Sequence, residues 1–268
     1  MERSGVSLFC LSVFCVCLLG GMMPSCAQTS AQWITYEGKS GPGKGKHIVL
    51  ISGDEEYRSE EAMPMMARIL SDHHGFKCTV LFAIDPSTGT VDPNNQTNIP
   101  GLNQLETADL MIMSLRFREL PDDQMKFIDQ YVQSGKPFIA LRTSTHAFQY
   151  KRNQQSTYAR YSFDSKVPGW EGGFGKKILG ETWVAHHGHH GKEGTRGLNN
   201  GLFDSHPLLK GVKDIWGYSD VYTIKNLNAD SQVLLYGQTS MGMSPETVPN
   251  YNKSLMPIAW IQEYASEG

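Results

Sequence analysis

Cysteine is nearly absent once the first segment is set aside. Cys10, Cys15, Cys17 and Cys26 fall within the first 26 residues, and Cys78 is the fifth and last. A single remaining thiol cannot close an internal bridge, so a disulfide scaffold is excluded. Charge of one sign is also scarce. Lys and Arg number 24 against 27 Asp and Glu, a formal net charge of -3 with a pI near 6.3. Such a balance gives no electrostatic grip on a phosphate backbone, and no nucleic acid partner is expected. No apolar run reaches the ~20 residues that a membrane span requires. What is present is ample core material, with 40% hydrophobic and 19% charged residues, which excludes global disorder. The 27 glycines and 13 prolines point to a loop-rich α/β chain rather than a helical bundle.

The N-terminal segment reads as a targeting signal. Arg3 precedes an apolar stretch from Val6 to Leu19, which Gly20 and Gly21 end. Ser25-Cys26-Ala27 suits cleavage before Gln28, so residues 1–27 are expected to be a signal peptide. The alternative is a degenerate lipobox, Met23-Pro24-Ser25-Cys26, with Cys26 lipidated. Either way the protein is expected to be exported, to a periplasmic or extracellular location. Residues 28–46 are polar and glycine-rich and read as a flexible linker, leaving one domain over 47–268.

Alternating strand and helix signals follow. Apolar runs predict strands near 47–52, 77–83, 109–114 and 137–142. Ala62, Met66, Ile69, Leu70 and His73 mark one face of a helix near 60–73, closed by Gly75. Pro121 opens a second helix, near 121–134, whose inner face is Met125, Ile128, Tyr131 and Val132. The order argues for a mostly parallel sheet with helices on both faces. Beyond residue 150 only short strands are readable, at 221–224, 232–236 and 257–261. The chain stops soon after the last of these, where a further strand and helix are expected, so truncation is suspected.

In such sheets reactive groups lie beyond the carboxyl ends of the strands. That rule selects residues 52–58, 114–118 and 142–146. Arg142 and His146 pair a fixed cation with a titratable imidazole at one strand end, which suits binding and proton relay. Ser144 lacks the flanking glycines of a nucleophile elbow, so serine hydrolysis is not expected. Glu56 and Tyr57 are candidates at the first strand's end. Four of the nine histidines, His186, His187, His189 and His190, fall within five residues. In an extended chain His186 and His190 share a face and could hold a zinc-like divalent metal, with His187, His189 and His206 as alternative ligands. Otherwise the histidines of this glycine-flanked loop bond backbone or substrate hydroxyls. Trp170, Trp183, Trp216 and Tyr218 could stack on a sugar ring.

Five segments together resemble the ThuA-like (trehalose utilisation) family. They are Ile48–Asp54 with Tyr57-Arg58, Leu141–Phe148, Gly180–Gly188, Ser205–Val212 and Pro257–Trp260. The resemblance implies a flavodoxin-like, class I glutamine-amidotransferase-like fold. No cysteine stands near Thr143-Ser144, so glutamine hydrolysis is not implied. It also implies a strand and helix beyond Trp260, which this chain lacks. The implied function lies in catabolism of trehalose-type disaccharides or 3-keto-glycosides, with a small carbohydrate as partner. In that setting His146 is the expected base. Arg142, or a metal on His186 and His190, is the expected electrophile, and Glu56, Tyr57, Thr143 and Trp183 are expected to touch substrate. The alternative is a catalytically silent sugar-binding or scaffold domain on the same fold.

Overall fold

The computed structural model describes residues 32–264. The expected signal peptide and the Cys26 lipidation site lie outside these residues. Nine strands and two α-helices are present among them: β1 (Trp33–Tyr36), β2 (His47–Gly53), α1 (Ser59–His74), β3 (Lys77–Phe82), β4 (Leu110–Leu115), α2 (Asp122–Gln133), β5 (Phe138–Ala140), β6 (Thr195–Asn199), β7 (Ile215–Gly217), β8 (Gln232–Thr239) and β9 (Met256–Ile261). Among the described residues no helix is long and apolar enough to cross a membrane.

The first sheet runs in the order β1-β3-β2-β4-β5, and its three pairings from β3 to β5 are parallel. Without the antiparallel edge strand β1, this is the flavodoxin-like order 2-1-3-4, and its switch point lies between β2 and β4. Alternation along β2 divides the core. Ile48 and Leu50 face α1 with Met63 and Ala67, whereas Val49 and Ile51 face α2 with Met125 and Ile128. All seven residues of β2 are buried, as a central strand covered on both faces requires. The mixed α/β, mostly parallel architecture expected from the sequence is therefore present.

Four expectations need correction. The linker over 28–46 is not a tether throughout, because Trp33–Tyr36 pairs with Cys78–Leu81. Its glycines permit close packing: a Cβ on Gly38 would lie 2.2 Å from the Gly75 carbonyl carbon, and one on Gly43 2.4 Å from the Phe76 ring. The face of α1 is also centred to one side of the expected one, with the expected Met66 and Leu70 packing on the core from its flank. Ser59, Met63, Ala67 and Ser71 are its buried row, while Ile69 is 48% exposed. Small residues carry its centre, so hydrophobicity alone pointed to one side. Residues 221–224 form no strand; Tyr222 makes an isolated bridge to His186. Finally, the second half builds its own antiparallel sheet, β7-β6-β8-β9, of which β6 and β7 were not readable.

Candidate functional site

Three loops leave the carboxyl ends of β2, β4 and β5, and each contains one non-glycine residue in the left-handed region: Arg58 (φ 52°), Phe117 (φ 52°) and Arg142 (φ 42°). Such strain persists only where the surroundings impose it. Asp54, fully buried, supplies much of that constraint. Its Oδ1 accepts the backbone N–H groups of Glu56 (2.9 Å) and Tyr57 (3.3 Å), and its Oδ2 accepts the hydroxyls of Thr143 and Ser114. One carboxylate thus ties the loops after β2 and β5 to the end of β4. Thr143 is 0% exposed and committed to this bond, so it is a scaffold residue rather than a substrate contact. Ser144 is likewise committed, donating to the Met113 carbonyl and accepting from the Leu115 N–H.

The strained residue at the strand-to-helix turn, where an elbow would present a nucleophile, is Arg142. Its guanidinium donates to the Asp220 carbonyl (2.6 Å), the Tyr57 hydroxyl (2.9 Å), the Ser219 hydroxyl (3.0 Å) and Asp220 Oδ1 (3.3 Å). It lies 3.8 Å over the Tyr222 ring. So engaged, Arg142 orients Asp220 and Tyr57 more than it offers free donors to a ligand.

Asp220 is the centre of the site. Its carboxylate is fully buried and accepts from His186 Nδ1 (2.8 Å, on Oδ2) and His190 Nδ1 (3.1 Å, on Oδ1). Burial pushes this carboxyl up, but the two histidine hydrogen bonds and the charges of His186 and Arg142 outweigh it and hold it below the ordinary range. The far nitrogen of His190, Nε2, stands 3.4 Å from Glu56 Oε1, and Glu56 also pairs with Arg116 at 2.8 Å. The two imidazole rings are 4.9 Å apart and solvent-exposed. His186 is fixed through its backbone bridge to Tyr222, two residues beyond Asp220.

His146 sits behind this cluster. Its ring is enclosed by Phe117 (4.9 Å), Trp183 (5.5 Å), Tyr222 (5.9 Å) and Phe163 (6.0 Å). Trp183 and Tyr222 also contact His186, at 6.0 and 5.5 Å, so both imidazoles share these walls. Burial, then the charges of Arg116 and Arg142, push His146 down to about 3. An imidazole so reluctant to take a proton is a poor general base near neutral pH, which corrects its expected role.

The other three candidate histidines have partners outside the cluster. His187 donates to the Ser254 carbonyl, His189 pairs with Glu193, and His206 accepts the Leu208 N–H to cap its own turn. Trp170 is 7% exposed and packs on Tyr161, so it belongs to the core. Sequence reasoning missed Asp54, Ser219, Asp220 and Tyr222. The readable signal was Asp220 itself, an acid set between aromatic and β-branched residues with no charged neighbour in Tyr218–Tyr222.

Among known proteins, the sequence matches no family profile and no curated protein. The solved structure of a protein described as ThuA-like, from Parabacteroides merdae ATCC 43184, superposes with a TM-score of 0.51 at 15% identity, covering 83% of this chain and 77% of that one. At that identity the likeness establishes a ThuA-like fold and nothing finer.

Proposed function

We propose that the crevice at the ends of β2, β4 and β5 binds a carbohydrate and processes it by proton transfer centred on Asp220. The observation that supports this best is one buried carboxylate gathering two exposed imidazoles and a guanidinium beside the Trp183 and Tyr222 rings. Sugars are commonly held by such an arrangement, with aromatic faces against C–H surfaces and polar groups on hydroxyls.

A 3-keto-glycoside fits the chemistry. The ketone at C3 acidifies the C2 proton. His186, held through Nδ1 by Asp220, takes that proton on its other ring nitrogen, the C2–H electron pair becomes the C1=C2 bond, and the C1–O bond breaks. The leaving alcohol departs with a proton, so atoms and charge balance without a further reactant. The ThuA-like fold of the neighbour is compatible with this reading and carries no part of it.

The test is a screen of 3-keto-disaccharides beside their unoxidised parents, with and without chelator. Release of the C1 substituent from the keto forms alone supports the proposal. Tight binding without release from any of them would leave a silent sugar-binding domain.

A further inference from the structure

We propose that His186, His190 and Asp220 form a binding site for a divalent cation of the zinc class. The inference rests on the Asp220 cluster being the reaction centre only for its role; its binding claim stands on geometry. The donor atoms of these three side chains lie within 4.8 Å of one another. Ligands about 2.0–2.1 Å from a tetrahedral centre are separated by roughly 3.3 Å. Asp220 already stands 2.8 Å from His186 Nδ1 through Oδ2 and 3.1 Å from His190 Nδ1 through Oδ1. Both rings are exposed, so the small adjustment that completes the triangle meets little packing resistance.

The surroundings of His190 point the same way. Carboxylate oxygens face both of its nitrogens, Asp220 Oδ1 at Nδ1 and Glu56 Oε1 at Nε2. A neutral imidazole has one N–H and one lone pair, so one of these contacts sets a lone pair against an anion. A cation on Nδ1 removes that conflict and leaves Nε2–H to donate to Glu56. A carboxylate on the remote nitrogen is the usual outer partner of a metal-bound histidine. Glu56 is therefore assigned as a positioning residue for His190. Imidazole and carboxylate donors select borderline cations rather than thiophilic ones.

Ligand number and access fix the kind of site. Three protein donors with an exposed side leave an open coordination position, the pattern of reactive rather than purely structural zinc sites. His187 and His189 do not complete the set, being held by the Ser254 carbonyl and Glu193. Bound here, the cation would polarise a ligand oxygen such as a ketone.

The experiment uses the purified chain, stripped with chelator and titrated with Zn²⁺ by calorimetry and with Co²⁺ by visible absorption. One equivalent per chain is expected, with Co²⁺ giving tetrahedral ligand-field bands. His186→Ala and His190→Ala should lose the site, and Glu56→Gln should weaken it about 10- to 100-fold without moving the melting temperature of the stripped protein. His187→Ala and His206→Ala should bind as the parent does. Absence of saturable binding, or unchanged binding in His190→Ala, overturns the proposal, since a proton then serves the second acceptor or the cation sits elsewhere. Binding without keto-sugar turnover sinks the proposed function and leaves the site. Turnover by stripped protein that binds no metal does the reverse.

Discussion

Replacing Asp220 by Asn tests whether this one carboxylate organises the site. The change keeps the side chain's volume and one acceptor oxygen while removing the charge. In the parent the group is fully buried and receives Arg142, His186 and His190. Stranding a partner of a buried pair costs about 3–5 kcal/mol. Here the partners keep access to water, with side-chain exposures of 24% for Arg142, 36% for His186 and 48% for His190, so solvent screening reduces the loss. We expect about 2 kcal/mol, or a fall in Tm of roughly 4–8 °C at about 2–4 °C per kcal/mol for a domain of this size. Urea unfolding should show a lower midpoint at an unchanged slope. Arg142→Met combined with Asp220→Asn should cost less than the sum of the two, by about 1 kcal/mol, because the groups are in contact. A loss below about 0.5 kcal/mol, or strict additivity, would refute the view that Asp220 is the hub.

Other outcomes follow from particular contacts. Since His146 is pushed down to about 3 in the folded chain, the unfolded chain gains a proton first as pH falls through about 6.5, and stability is lost from there toward 3. Between pH 7 and 5 the parent should therefore lose about 2 kcal/mol more than His146→Gln does; a constant gap between the two would discount the buried neutral imidazole. Thr143→Val deprives Asp54 of a donor and should cost about 1.5–3 kcal/mol by denaturant titration, whereas a neutral effect would remove Asp54 as the tie between loops. On α1, Ala67→Leu should destabilise by about 1–3 kcal/mol and Ile69→Lys by less than about 0.5, the reverse ranking restoring the face read from hydrophobicity.

The parallel strands were legible because a strand buried on both faces must be apolar throughout, as in Ile48–Ile51 and Met111–Met113. Edge elements carry no such mark. Trp33–Tyr36 buries little, and β6 (Thr195–Asn199) has a glycine at its centre, so pairing rather than composition makes them strands. Only the centre of the α1 face was misjudged, since Met66 and Leu70 do pack on the core; Ala67 and Ser71, small enough to let the helix approach β3, contribute little apolar signal. For the site, the strand-end rule located the loops that Asp54 ties together, but not Asp54's role, which is a matter of long-range hydrogen bonds. Asp220 lies 78 residues from Arg142 and 34 from His186, so only the folded chain brings them together. Burial is equally invisible in sequence, and it is burial that moves His146 from expected base to wall.

The central claim is that the Asp220 cluster takes a proton from a bound keto-sugar. Incubating the protein with a 3-keto-glycoside in D₂O and following the C2 proton by NMR measures that step directly. The account predicts that the C2 signal disappears by exchange or elimination with the parent chain, and persists with His186→Ala and Asp220→Asn. Persistence with the parent, or equal loss with His186→Ala, would contradict it.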